Sequence, residues 1–417
     1  MKRTRLIMGF AILLWGTSVS IGQERLGFAD CAPCTRLCNP CNPYDPCGGS
    51  TNFFTACTFG GWVETGVYTN NHGNPSNGPM HSASKRRTDF QMSQLYLFGE
   101  KEMDTRRGFD WGGRADLVYG VDAGGMQCYG DETFDFNWGM NESGYGMATY
   151  QLYGTLGYRD LSVKIGKFIT PVGWEESAAK NNIFYSHSYC YWLEPATHSG
   201  ILATYDMSDR LSLNAGWAAG MDASFQNRYD DKAILTGFSY GLTDNATVYY
   251  WINAGKMFNG DLRGVNRFGD GTILRNDYFI QSLCFEWALT KRLTYLLQYD
   301  LRNDNYVSAT GKDRYSSYGL NNHFLYKLSD TLTVGTRVEW LRDNGGNFGY
   351  ITENPGDFWQ VTLGLRWDPT ENLSFRPEVR YDWCRGATPF ALADRENFSS
   401  GTRSDQVSGG IGMLISF

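Results

Sequence analysis

Three sets of residues in this chain have types and spacings that could do chemistry. Six of its ten cysteines, Cys31, Cys34, Cys38, Cys41, Cys47 and Cys57, fall in a Pro- and Asn-rich stretch, 23–57. The opening CxxC-x3-CxxC could chelate zinc or an iron–sulfur cluster. No histidine neighbours it and no Cys-Pro follows. In an exported chain the plainer reading is a disulfide-stapled segment, with cross-linking to a second chain left open. Spacing pairs none of Cys128, Cys190, Cys284 and Cys384. The second set is Gly237-Phe238-Ser239-Tyr240-Gly241, which matches the nucleophile-elbow pattern GxSxG. That device needs a strand, a sharp turn and a helix. Here Leu242-Thr243-Asp244-Asn245 and another strand follow, with only His323 downstream as a base, so the match reads as chance in a Gly-rich strand. His72, His81, His187 and His198 have no acids at motif spacing. Neither set predicts a catalytic residue, a metal site or a cofactor.

The third set is charge on one face of alternating runs. From Trp359 to Trp367, Trp359, Val361, Leu363, Leu365 and Trp367 share one face, and Gln360, Thr362, Gly364 and Arg366 the other. From Leu373 to Trp383, Leu373, Phe375, Val379, Tyr381 and Trp383 oppose Ser374, Arg376, Glu378, Arg380 and Asp382. Similar runs place Arg114, Asp116, Lys164, Asp300, Arg302, His323, Lys327, Arg337 and Glu339 on polar faces. Taken singly, each is the solvated face of a sheet. Together, Arg337, Arg366, Arg376 and Arg380 would form a basic ladder offset by Glu378 and Asp382. Across an aqueous passage, opposed charges bias which solutes pass. The expectation is weak selectivity of undetermined sign.

Period two dominates from Phe59 to Phe417 and demands strands to position these faces. A phrase of turn residues, Leu or Ala, Ser or Thr, and a large apolar residue keeps returning, as in Asp160-Leu161-Ser162-Val163, Arg210-Leu211-Ser212-Leu213 and Asn372-Leu373-Ser374-Phe375. Its intervals are too uneven for a solenoid and fit a strand out, a loop of variable length and a strand back. Short turns such as 208–210 and 329–331 alternate with long loops such as 257–274 and 385–404. That asymmetry, with about sixteen strands between 58–69 and 405–417 (among them 292–302 and 315–328), predicts an all-β fold. The architecture is a transmembrane antiparallel β-barrel with short periplasmic turns and eight long outer loops. Aromatic residues at both ends of the apolar faces separate it from a soluble sandwich. Trp217, Trp251, Trp340, Trp359 and Trp383 sit at the long-loop ends, and Tyr158, Tyr205, Tyr240, Trp287, Tyr326 and Trp367 beside the short turns, as two lipid-interface girdles would. Pro377 is the weak point, because it removes a ladder donor unless a bulge absorbs it.

A barrel of this size leaves an aqueous lumen. The stretch 169–196 carries Trp174, Glu175, Glu176, Tyr185, His187, Tyr189, Tyr191 and Trp192, unusually aromatic for a loop wholly in water. It is expected either to fold inward, narrowing the lumen with Glu175 and Glu176 facing the basic ladder, or to cap the mouth.

Composition bounds the remaining classes. Of 417 residues, 15% are aromatic and 19% charged, with 49 Gly and a net charge of −7, which offers no basic footprint for nucleic acid. Mean hydropathy of −0.40 excludes a bundle of membrane helices but not a barrel, half of whose strand residues face water. Lys2, Arg3 and Arg5, the apolar run 6–15 and the small residues up to Gly22 have the order of a secretory signal peptide. The expected divisions are therefore 1–22 signal peptide, 23–57 Cys/Pro-rich periplasmic segment and 58–417 barrel.

The segments 163–175, 185–189 and 194–205, with 113–122 and 377–383, resemble the OmpL-like beta-barrel porin-2 family across 59–417. The resemblance implies an outer-membrane channel of a Gram-negative-type bacterium passing ions and small polar solutes, and assigns no catalytic residues. Expected partners are outer-membrane lipid, the barrel-assembly machinery through the final strand ending at Phe417, and further copies in a homotrimer. The alternatives are a barrel enzyme of phospholipase or protease type and a closed barrel anchoring the Cys-rich segment.

Overall fold

The computed structural model describes residues 56–72, 90–128, 138, 141, 144–224, 232–258, 275–308, 311–344, 355–392 and 401–417. The expected signal peptide and Cys31, Cys34, Cys38, Cys41 and Cys47 lie outside them. The strands are β1 (Thr58–Asn70), β2 (Gln91–Lys101), β3 (Phe109–Gly120), β4 (Gly146–Tyr158), β5 (Leu161–Ile169), β6 (Thr197–Ser208), β7 (Leu211–Ala218), β8 (Ala233–Thr243) and β9 (Ala246–Phe258). They continue with β10 (Arg275–Ala288), β11 (Leu293–Ser308), β12 (Gly311–Ser329), β13 (Leu332–Asp343), β14 (Gly356–Thr370), β15 (Leu373–Arg385), β16 (Phe390–Leu392), β17 (Gly401–Arg403) and β18 (Asp405–Ser416).

Sixteen of these close into one antiparallel barrel, each paired with its neighbours in sequence. β16 and β17 form a separate ribbon in the last long connection, so β15 pairs with β18, which closes the ring against β1. Closure satisfies every strand edge, which is what a sheet needs where no water can bond its backbone. Outward positions carry exposed apolar side chains such as Ile201, Leu213, Leu363, Val379 and Ile411. Tyr158, Tyr205, Tyr240, Trp287, Tyr326 and Trp367 are exposed beside the short turns. At the other end Trp340, Trp359 and Trp383 face one another across β13, β14 and β15, with ring centroids 6.0 and 5.9 Å apart.

Three local expectations are corrected. Trp251 does not belong to a lipid girdle: it is 1% exposed and packs on the inner face with Leu235, Tyr278 and Ile280. Gly237 makes room for its indole, since a Cβ there would lie 2.5 Å from the ring. β11 and β12 do not end at the expected loop. They run on through polar residues until Ser308 pairs with Gly311, because a strand that has left the membrane no longer needs an apolar face. At Pro377 there is no bulge. The β14–β15 register is unchanged from Gly364↔Glu378 to Trp367↔Phe375 with the intervening pairs unbonded, and the shift falls later, between Trp367 and Thr370.

Candidate functional site: a loop cradled across the lumen

The connection between β5 and β6 leaves the wall at Ile169. Pro171, which has no N–H to donate, ends the ladder. The neck is tied by Thr170 N–H to Ala196 O at 3.0 Å and by Thr170 Oγ1 and His198 Nε2 at 3.1 Å. At Gly173, φ is +90° and the Glu194 carboxylate lies directly against the Cα, so no side chain fits. Beyond this neck the chain makes two single turns, Ala179–Asn181 and Cys190–Leu193, that leave most backbone groups without local partners. Buried groups of that kind need donors and acceptors from elsewhere.

The opposite wall supplies them. Arg337 on β13 donates to Glu175 Oε1 and Ser186 O, both at 2.9 Å, and to His187 O at 3.2 Å. Arg366 on β14 reaches Lys180 O at 2.9 Å and Asn182 O at 3.1 Å. Arg376 on β15 reaches Ala179 O at 2.7 Å, Asn182 O at 3.1 Å and Phe184 O at 3.2 Å, and pairs with Glu64. Arg380 donates to His187 O at 2.6 Å. The carboxylates take the N–H groups. Glu378 accepts from Tyr185 and Ser186 at 2.8 and 3.2 Å, and Glu339 from Tyr189 and Cys190 at 2.7 and 2.6 Å. Asp382 accepts from the Tyr189 hydroxyl at 2.7 Å and holds Arg380. β14 stands halfway round the ring from β6, so the loop crosses the whole lumen. The basic ladder binds protein backbone, a role that reading the strands one at a time did not reveal.

Glu175 sits at the centre of the crossing. It is bonded to Arg337, accepts from Ser188 N–H at 2.8 Å, and lies 3.4 Å from His187 and 3.7 Å from His323. Burial alone would raise its carboxyl. The Arg337 charge and the hydrogen bond with His187 outweigh burial and hold the group well below the usual carboxylate range. Trp174 and Phe184 meet the His323 ring edge-on at 4.9 and 5.7 Å, and His187 stacks on Tyr191 at 3.9 Å. Glu176 turns back into its own loop, accepting from Asn181 at 2.5 Å.

The remaining expected lumen residues lie on the inner face, and of these Arg302 also touches the loop. Arg114 bonds Glu100 and Asp116, each at 2.8 Å, and Asp116 also accepts from Tyr96 and from Gln151. Lys164 lies over the Tyr153 ring at 4.3 Å, Arg302 bonds Asp304 at 2.7 Å and Leu193 O at 3.2 Å, and Lys327 is half-buried near a short turn. Sequence reasoning missed Gln94, whose side chain accepts from Ala179 N–H at 3.1 Å and donates to Ser177 O at 2.6 Å, and also Glu64 and Glu194. Gln94 and Glu64 were legible only as inward positions of β2 and β1. Ser239 lies inside β8, which runs on to Thr243 and turns straight into β9 with no helix, so no elbow forms. Cys190, Cys284 and Cys384 form no disulfide among the described residues, the expected partners of Cys57 lie outside them, and among the described residues no three His, Cys, Asp or Glu could hold a metal.

Solved structures share this architecture. The in-vitro folded outer-membrane protein OmpT of Vibrio cholerae, in its trimer form, superposes with a TM-score of 0.54 at 11% identity, covering 87% of this chain and 99% of that one. An anion-selective porin from Comamonas acidovorans gives the same four values. A loop L8 deletion mutant of the Vibrio OmpT gives 0.52 at 12% identity, covering 87% and 99%. At these identities the likeness is one of fold. No curated protein matches the chain. The family model described as "Putative beta-barrel porin-2, OmpL-like" matches residues 56–417, which take in the whole barrel, and the chain belongs to that family.

Proposed function

We propose that the chain is an outer-membrane porin through which ions and small polar solutes diffuse passively, with the 169–196 loop as its constriction. The observation that carries this reading is the crossing loop. A sixteen-strand ring is wide enough to leave a lumen, and here one connection of the chain's own, pinned from wall to wall, narrows it. Arg114, Lys164, Lys327 and Asp116 line the inner face on this reading, and Trp174, Glu175, Glu176 and His187 belong to the narrowing element. The exposed apolar belt meets outer-membrane lipid, and the final strand ending at Phe417 engages the assembly machinery. The Vibrio OmpT solved as a trimer supports a homotrimer here. Export by a signal peptide over 1–22 and disulfides within 23–57 complete the reading.

Purified, folded protein reconstituted in liposomes tests it. Swelling in small sugars, without hydrolysis of lipid or peptide, is the expected result. Hydrolysis without swelling would favour a barrel enzyme, and neither activity would favour a closed anchor.

A further inference from the structure

The inward arginines look like a positive field, yet each already has a carboxylate. Arg114, Arg302, Arg366 and Arg380 are bonded to the aspartate two positions along the same strand, Asp116, Asp304, Asp368 and Asp382, at 2.8, 2.7, 3.1 and 2.7 Å. Residues i and i+2 share a face, so this Arg-x-Asp spacing neutralises each charge where it stands. Arg337 is held by Glu175, and Arg376 by Glu64. Five of these arginines also donate to loop carbonyls.

The acids at the neck of the loop are placed differently. A recess there is bordered by Tyr150, Thr170, Glu175, Glu176, Tyr191 and Glu194, and none of its described lining residues is lysine or arginine. Behind it Gln298 Nε2 donates at 2.5 Å both to Glu194 and to Asp300, bringing two carboxyl groups together at one amide. Gln298 and Asp300 are fully buried, and Gln298 Oε1 and Asp300 Oδ1 have no donor. Burial first, then the charge and hydrogen bond of Asp300, push Glu194 well above the usual carboxylate range, so the two carboxyl groups are tightly coupled.

We infer that the channel passes cations in preference to anions, with Glu194 and Asp300 as the residues that set the sign. An unneutralised carboxyl pair at a narrow, poorly hydrated point attracts cations and repels anions, whereas arginines closed into pairs exert little net field. The shared fold would not have suggested this, since one structure of similar architecture is named an anion-selective porin. The inference rests on the channel reading.

The test is the reversal potential of the purified full chain in a planar bilayer under a KCl gradient, beside the double variant Glu194→Gln with Asp300→Asn and the turn variant Glu371→Gln. The expected result is a potential of potassium-selective sign that moves toward zero in the double variant and stays put in Glu371→Gln. A chloride-selective sign in the unmodified chain would overturn the inference while leaving the channel intact, and so would an unchanged potential in the double variant. Should the double variant fail to fold, the sign for the unmodified chain still decides. Absence of any conductance would overturn both the inference and the channel reading.

Discussion

Arg337 shows how much one side chain does in this lumen. It is fully buried, and its fork joins Glu175, Ser186 and His187, so it fixes both a charge and two stretches of backbone. Removing one partner of a buried ion pair costs about 3–5 kcal/mol, chiefly because the other charge is stranded. Arg337→Ala should therefore lower the thermal unfolding midpoint of the folded barrel in detergent and give a noisier open-channel current. Arg337→Lys should rescue little, because an ammonium keeps the charge but loses the fork. The pH response follows from Glu175. Its folded-state value is depressed, so its contribution is fully present above the ordinary carboxylate value, about 4.3, and is lost only as pH falls through a much lower folded value. Single-channel records should accordingly show no step-like opening between neutral pH and about pH 4. A sharp rise in conductance in that window would mean that the Glu175 anchor is weaker than its geometry implies.

At the scale of elements, strands were readable because their two faces meet different solvents, and the alternation in β14 and β15 states this outright. Legibility failed where that contrast vanished. In β9, Tyr249 and Trp251 face inward while Tyr250 and Ile252 face outward, so both faces are apolar and the sequence does not fix the phase. In β11 and β12 the strands run on past the expected ends through Asn303, Asp304 and Asn305, which look like loop residues. The cradle was hidden for a different reason. Glu175 and Arg337 are 162 positions apart, and only the closed strand order brings them together. The inward lean of the loop was suggested by its aromatic content, but its partners were expected to be acids meeting arginines. Most are backbone carbonyls and N–H groups, which composition does not record. The GxSxG match belongs to this scale too. Ser239 sits mid-strand, so Ser239→Ala should leave conductance unchanged and remove no hydrolytic activity; loss of an esterase activity in that variant would contradict the assignment.

For the whole molecule, the ring and its apolar belt work together. Leu363 and Val379 are paired across β14 and β15, 57% and 60% exposed, on the outer face. An arginine at such a position costs about 2–4 kcal/mol at the membrane midplane and far less near an interface. Leu363→Arg should thus destabilise the barrel in lipid and reduce its folded yield, whereas Thr362→Arg, one residue away and inward, should act on the loop contact instead. The last strand is bonded on both edges, to β1 and to β15, so deleting 405–417 should leave an open sheet that does not assemble, checked by heat-modifiable gel mobility. The central claim, a passive channel narrowed by its own cradled loop, is tested most directly by the single-channel conductance of the full chain beside a variant lacking 175–190. Both should conduct, with larger steps in the shortened loop. Equal conductance in the two proteins, or none in the full chain, would contradict the account.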